Sequence, residues 1–293
     1  MNKVMVLGAD GFLGKRLLSI ERLGIQLQGT SRKVTKDLNL FFFNAEDISS
    51  IYNLLRINKP NVVINCIGYT NVDLCEINSD NAKNINTTFP TNLALITNQL
   101  GIKLVHISTD HYKSKEDKPR TESTELWAIN QYGNTKIKAE EEIKKVNDNA
   151  LIIRTNFFGY ESNGSSVKLL STIKKVLESE SDFTGFSDVY FSPVSIGELI
   201  EALFNLIEIN ASGIINIASN EAISKYEFAK LVARCLQIPE NKILSTSIFE
   251  SNLVSPRPNY LALDNSLYKK MVDLNIKAID AMITDELRLD LGK

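Results

Sequence analysis

Short runs of apolar, often β-branched residues alternate with amphipathic stretches through the first half of the chain. Residues 4–7, 25–30, 40–43, 62–67, 104–108 and 151–154 are nearly continuous in apolar side chains, the pattern of parallel strands covered on both faces. Between them, residues 12–21, 48–57, 79–99 and 131–146 have the periodicity of helices with one apolar face. Repeated strand–helix alternation predicts an α/β fold built on a right-handed, doubly wound parallel sheet. After about residue 156 the rhythm changes. Residues 156–166 and 181–192 are rich in Gly, Ser, Asn and aromatics and predict loops around a cleft, whereas 195–207 and 224–236 predict helices. The second of these opens on Ser224-Lys-Tyr-Glu227, a capping-box pattern ahead of the apolar face Phe228, Leu231, Val232 and Cys235. The pattern therefore divides the chain into a sheet domain over 1–156 and a smaller, mainly helical C-terminal lobe over 157–293. Segments around 186–220, including the strand-like 213–218, are candidates to return to the first domain.

Composition narrows the function classes. With 293 residues the chain can bury a full core, and 43% hydrophobic with 23% charged residues describes an ordinary globular protein. A formal net charge of -2 provides no basic footprint for a nucleic acid polymer and no polybasic membrane patch. No apolar stretch approaches the roughly 20 residues of a membrane span, and the first residues lack a signal-peptide pattern, so a cytoplasmic protein is expected. Cys66, Cys75 and Cys235 lack zinc-site spacing and only His106 and His111 are present, so reduced thiols and no metal centre are expected.

The first strand runs into Gly8-Ala-Asp-Gly11-Phe-Leu-Gly14, which opens the first helix. Glycine permits a tight turn and close approach of backbone to a pyrophosphate, and the helix start offers free N–H groups to its charge. This predicts a Rossmann-type dinucleotide site, with Gly8, Asp10, Gly11, Phe12, Leu13 and Gly14 as candidate contacts; a tight turn without ligand would show the same glycines. At the end of the second strand an acidic residue would favour NAD by accepting from the ribose 2′-hydroxyl. Here the sequence is Gly29-Thr30-Ser31-Arg32-Lys33. A hydroxyl and two cations suit a 2′-phosphate, so Ser31 and Arg32 favour NADPH over NADH; a solvated basic loop is the plainer alternative. Asn44, beyond the third strand, is a further candidate contact.

Tyr132 and Lys136 lie four apart in a predicted helix, downstream of Ser108-Thr109-Asp110 at a strand end. Reducing a carbonyl needs a hydride on carbon and a proton on oxygen, and the protein must place the proton donor. A phenol with a reference pKa of about 10 is a sluggish acid near neutrality, and a cation one helical turn away favours its phenolate. Thr109, at the sheet edge where open α/β folds bind ligands, can bond the substrate oxygen. A packed Tyr on a surface helix would have the same spacing as this pair.

Taken together, these segments resemble an extended short-chain dehydrogenase/reductase. Within that superfamily the chain is similar to the dTDP-4-dehydrorhamnose reductase family over nearly its whole length. The resemblance is carried by Val63-Ile-Asn-Cys-Ile-Gly-Tyr-Thr-Asn-Val-Asp73 with Glu76, residues 86–94, Ser108-Thr-Asp110, and Tyr132-Gly-Asn-Thr-Lys136 with Glu140. Ile153-Arg-Thr155, Ser192-Pro193, and Arg257-Pro258 before Leu261 extend it. It implies Thr109, Tyr132 and Lys136 as catalytic residues, NADPH as reductant, and reduction of the C4 ketone of a nucleotide-activated 4-keto-6-deoxy sugar. It further implies that Cys66, Ile67, Gly68, Tyr69, Ser108 and Thr155, with Tyr132 and Lys136, run beside the cofactor. On the sugar side it implies Thr70, Val72, Thr109, Asp110, Tyr132 and Phe157. Arg257 is a candidate for the substrate diphosphate, since a planar guanidinium matches phosphate oxygens; a structural ion pair would look the same. The partner expected is a nucleotide-diphosphate 4-keto sugar, and a homodimer is left open.

Two departures fall on the sugar side. The family usually continues Ser-Thr-Asp with Tyr-Val-Phe-Asp-Gly, where this chain reads His111-Tyr-Lys-Ser-Lys115, and the family's tryptophan after Arg-Thr-Ser is replaced by Phe157 with Asn156 before it. Sugar-nucleotide 4,6-dehydratases keep the Thr, Tyr and Lys but add an Asp-Glu pair, which His111 breaks here. His111 is expected to be a solvent-facing loop residue more than a proton shuttle. A C3 or C5 epimerase would need a further acid/base residue, which the sequence does not supply. A non-catalytic NADP-binding subunit, resembling the regulatory subunit of methionine adenosyltransferase, is the alternative of a different class.

Overall fold

The computed structural model describes residues 2–32, 40–45, 47–160 and 169–291. Six strands follow one another as β1 (Asn2–Leu7), β2 (Ile25–Ser31), β3 (Leu40–Phe42), β4 (Val62–Asn65), β5 (Lys103–Ile107) and β6 (Leu151–Thr155). With Gly213–Ile217 they form a seven-stranded sheet in the order Gly213–Ile217, β6, β5, β4, β1, β2, β3. The pairings of β1 with β2 and with β4 are parallel, with Val4 opposite Leu27 on one side and Val62 on the other. The order reverses between β1 and β4, and ligands of open α/β sheets bind beyond the strand ends at such a switch point. The apolar runs are explained by this arrangement: Met5, Leu7, Val63, Leu104 and Ile152 are all fully buried.

The predicted helix over 79–99 is interrupted. Helices Val72–Ile77 and Ser79–Lys83 lead into a π-helical turn, Asn84–Thr88, before Phe89–Gln99. Pro90 has no N–H, and in a regular α-helix its ring would press on the carbonyl four residues back, at Asn86. The wider turn relieves that crowding and turns the Asn86 amide out of the helix. Its Oδ1 accepts from the Tyr69 backbone N–H at 2.7 Å, and its Nδ2 donates to the Tyr69 carbonyl at 3.0 Å and to Thr135 Oγ1 at 3.1 Å. The helix predicted over 131–146 forms as Gln131–Val146. Asn130 caps it by accepting from Gly133 N–H at 2.8 Å, and Glu76 accepts from Gln131 N–H at 2.7 Å, which also places a carboxylate at the positive helix end. The first helix stops earlier than predicted, at Leu18.

The chain divides into two compact units that are discontinuous in sequence. The first is Met1–Thr109, Trp127–Arg154 and Ala211–Ile215; the second is Asp110–Leu126, Thr155–Asn210 and Asn216–Lys293. The hydrophobic pattern sets its one boundary at 156 and carries no sign that Asp110–Leu126 leaves the first unit. Backbone bonds hold that segment in the second unit: Arg120 N–H donates to Ala262 O at 3.0 Å and Asp264 N–H donates to Arg120 O at 2.8 Å. The second unit combines short strand pairs, such as Phe183–Phe186 with Ile243–Thr246, and the helices Ile196–Glu208, Lys225–Cys235 and Ile279–Leu291. Ser224 caps the middle helix by accepting from Glu227 N–H at 3.0 Å. Phe228 packs edge-on against Phe158 and Phe191, with centroids 5.0 and 5.6 Å away. No helix among the described residues is long and apolar enough to cross a membrane.

Candidate active site

The glycine turn is built around contacts that no side chain permits. Gly8 follows β1 at φ +85°, a left-handed conformation suited to glycine. A Cβ on Gly14 would lie 2.2 Å from the Gly8 carbonyl oxygen and 2.8 Å from Ala9 Cα, all rigid backbone. Gly8 also abuts the end of β4, where an added Cβ would stand 3.2 Å from Ile67 N and 3.3 Å from the Cys66 carbonyl carbon. The turn and the 66–67 stretch are thus brought together. Gly11, at the start of the Phe12–Leu18 helix, supplies no side-chain cap.

Asp10 reaches across to the end of β2, where its Oδ2 accepts from the Ser31 hydroxyl at 2.8 Å and from the Arg32 backbone N–H at 3.3 Å. It therefore fixes the backbone from which the exposed Arg32 side chain projects. Lys33 lies outside the described residues. Asn44 is exposed, as are Gly68 and Thr70, whereas Thr155 is buried with its Oγ1 lacking a hydrogen-bond partner. Burial pushes the Cys66 thiol up to about 12, so this cysteine stays protonated.

Tyr132 and Lys136 share one face of their helix, and both are buried, at 9% and 4% exposure. Tyr132 packs with Cys75 and Ala82, against Tyr69 and Val72. The Lys136 Nζ donates to the Ile107 carbonyl at 2.8 Å and lies 3.2 Å from His106 Nε2. Burial lowers Lys136 to about 8, with the Glu140 charge opposing. Burial thus makes this amine easier to deprotonate than an exposed lysine. Thr109, at the end of β5, is buried in the same unit.

Beneath this pair lies a charged structural element. Glu140 accepts from Arg154 Nη2 at 2.6 Å and Nε at 3.0 Å, and from the Ser108 hydroxyl at 2.5 Å. The Ser108 side chain, expected beside a cofactor, is thus committed to the Glu140 carboxylate.

The second unit gathers its own polar cluster. Asp110 accepts from Asn156 Nδ2 at 2.7 Å, and burial raises its carboxyl to about 6 against the opposing Asn156 bond and Lys225 and Arg120 charges. Lys225, which the sequence shows only as part of a helix-capping pattern, is lowered to about 8 by burial and sits 3.2 Å from the Phe191 ring centre. His111 does not face solvent freely. It is half-buried, and burial followed by the charges of Arg257, Lys225 and Arg120 takes it down to about 3, so it stays neutral. The solvent-facing expectation fails because Asp110–Leu126 folds into this unit, with neighbouring Tyr112 fully buried. Arg257 donates from Nη1 to the Ser255 carbonyl at 3.0 Å, and Phe157 is half-buried in a short strand, Phe157–Phe158. Among the described residues, no group of three or more His, Cys, Asp or Glu is placed to hold a metal ion.

Comparison with known proteins bears on this geometry. The model of the RmlD substrate binding domain family matches residues 1–288. The spore coat polysaccharide biosynthesis protein SpsK of Bacillus subtilis is 30% identical, with 90% of each chain aligned. The probable low-salt glycan biosynthesis reductase Agl14 of Haloferax volcanii is 28% identical over 89% of each chain. In structure, the chain resembles a dTDP-4-dehydrorhamnose reductase from Bacillus anthracis solved with NADP, at a TM-score of 0.88 and 23% identity, covering 99% of this chain and 100% of that one. That last likeness is one of fold.

Proposed function

The chain belongs to the RmlD substrate binding domain family, and from that membership we propose that it reduces the C4 ketone of a nucleotide-activated 4-keto-6-deoxy sugar with NADPH, in the biosynthesis of cell-surface polysaccharide or glycoside. The observation that carries this reading is the buried phenol of Tyr132 one helical turn from the buried amine of Lys136, itself anchored on Ile107 O at the end of β5.

The residues present fit the cofactor. A Cβ on Gly14 would strike the Gly8 carbonyl and the Ala9 backbone, so glycine there lets the helix start pack directly on the turn, the close packing that the third glycine of a dinucleotide site provides. At the far end, Asp10 Oδ2 holds the Ser31 hydroxyl and the Arg32 backbone N–H, and the exposed Arg32 side chain at the sheet edge is assigned to a 2′-phosphate. Bound there, NADPH would supply the hydride to the ketone carbon. Tyr132 gives its hydroxyl proton to the carbonyl oxygen as that oxygen gains charge, and Thr109 bonds the same oxygen to fix its orientation. Lys136 stabilises the phenolate left behind. Asp110, Phe157 and Arg257 are assigned to the sugar nucleotide, and the neutral His111 to shaping that pocket and not to proton transfer.

Incubation with NADPH and a panel of dTDP-, UDP-, GDP- and CDP-linked 4-keto sugars tests the proposal. Loss of NADPH with appearance of a C4 alcohol by NMR is expected for at least one member. Tight NADPH binding with no turnover on any member would favour a binding role instead. The cofactor assignment has its own check. Arg32→Ala is expected to weaken NADPH about tenfold or more, in line with roughly 1.5–3 kcal/mol for a charged hydrogen bond, and to leave NADH nearly unchanged. Equal loss for both cofactors, by fluorescence titration, would remove the 2′-phosphate role.

A further inference from the structure

Asn65, His106 and Lys136 form a buried chain whose hydrogen-bond polarity can be read from its outer end. Asn65 is 0%, His106 1% and Lys136 4% exposed. The Ile67 backbone N–H can only donate, so the Asn65 atom 3.1 Å from it is the amide oxygen. The remaining amide atom is then the NH₂ group, also only a donor, and it lies 3.0 Å from His106 Nδ1. Nδ1 must therefore offer a lone pair, and a neutral ring in that state carries its hydrogen on Nε2. Burial holds His106 well below its ordinary range, so the ring is neutral.

The Nε2–H group faces Lys136 Nζ at 3.2 Å. An ammonium has three N–H donors and no lone pair, so a protonated Lys136 would set donor against donor at this contact. An amine can accept from Nε2–H and still donate to Ile107 O at 2.8 Å. We propose that Asn65 and His106 are positioning residues that hold Lys136 as an unprotonated amine in the ligand-free protein, so that Lys136 takes up a proton only when it is drawn off His106.

The other titratable groups near this amine lie on three elements. On its own helix are Tyr132 and Glu140. Glu140 favours the ammonium but is engaged by Ser108 and by Arg154 on β6, and burial outweighs it. Cys66, just past β4, stays a neutral thiol. The proposal rests on the reductase reading only in placing Lys136 at the reacting centre; the relay itself is a matter of proton positions.

The chain contains two histidines, so His111→Gln leaves His106 as the sole imidazole. Two-bond ¹H–¹⁵N correlation on the ¹⁵N-histidine-labelled protein reads its tautomer directly. An Nε2–H tautomer, unchanged from about pH 6 to about pH 9, is expected; an Nδ1–H tautomer or an imidazolium overturns the proposal. Asn65→Asp provides a second reading. One carboxylate oxygen keeps the Ile67 N–H, and the other can only accept, which turns the ring to Nδ1–H and lets Nε2 accept from the ammonium. The tautomer should switch and the ¹⁵Nζ titration of Lys136 should rise by about one pH unit or more, a tenfold change in proton affinity. Because the new carboxylate favours the ammonium by itself, the tautomer is decisive: a ring that stays Nε2–H in Asn65→Asp overturns the relay. If that variant does not fold, the His111→Gln spectrum decides alone. Neither readout involves turnover, so failure here leaves the reductase reading standing, and failure of the sugar panel leaves the relay standing.

Discussion

Replacing Tyr132 by phenylalanine is expected to lower kcat for ketone reduction by about 10²–10⁴-fold, the usual contribution of a positioned general acid, with little change in NADPH affinity. The substitution removes one oxygen and keeps the ring that packs on Cys75, Ala82, Tyr69 and Val72, so the helix Gln131–Val146 and the fold around it should persist. Its N-terminal bonds, to Asn130 and Glu76, do not involve the phenol. Without the hydroxyl, the developing alkoxide has Thr109 as a hydrogen-bond partner but no group to hand it a proton. Stopped-flow turnover with a competent 4-keto sugar and NADPH titration by fluorescence separate the two effects. A variant retaining more than a tenth of wild-type kcat would falsify the proton-donor role.

The largest effect on stability is expected from Arg154→Ala. The guanidinium binds Glu140 through two nitrogens, and both side chains are more than nine-tenths buried. Removing the arginine leaves a carboxylate in a water-poor interior without the two guanidinium nitrogens that face it. Breaking one side of a buried pair in this way costs about 3–5 kcal/mol, or roughly 10 °C or more in Tm for a chain of this size. The double replacement Arg154→Met with Glu140→Leu should recover much of the loss, because it removes both charges and refills the volume. Thermal and urea unfolding measure the pair of variants. A loss below about 1 kcal/mol in Arg154→Ala would mean that water reaches Glu140. Since Ser108 immediately precedes Thr109, the same variant links the stability of this element to the geometry of the site.

Local rules made the first unit legible. The strand, the glycine turn and the helix after it are adjacent in sequence, and each constrains the next within a few residues, so Gly8, Gly11 and Gly14 could be placed before any contact was known. The Tyr132–Lys136 relation is likewise set by helical spacing alone. What the sequence did not disclose depends on residues far apart in the chain. The grouping of Asp110–Leu126 with the second unit follows from bonds between Arg120 and residues beyond 260, which no periodicity signals. For that reason His111 read as solvent-facing and proved half-buried among cations, and Lys225, some 115 positions away from Asp110 in sequence, had no signal beyond its place in a capping pattern. His106 was visible only as a strand residue. Its meaning depends on Asn65 and Lys136, which meet it through the side-by-side packing of β4, β5 and a helix. The interruption at Asn84–Thr88 was in principle readable, since Pro90 stands inside the predicted helix, but an N-terminal proline is common enough in helices to hide a wider turn just before it.

The widened turn around Asn86 has a mechanical consequence. Its amide grips the Tyr69 backbone from both sides and reaches Thr135, while Thr87 Oγ1 donates to the Thr135 carbonyl at 2.7 Å. Thr135 lies between Tyr132 and Lys136. The Tyr69 stretch and the helix that carries Tyr132 and Lys136 are therefore clamped to one strut, like two jaws on a common frame. The spacing between that stretch and the Tyr132–Lys136 face is then set when the chain folds, so under the proposed function a substrate would inherit it without having to create it.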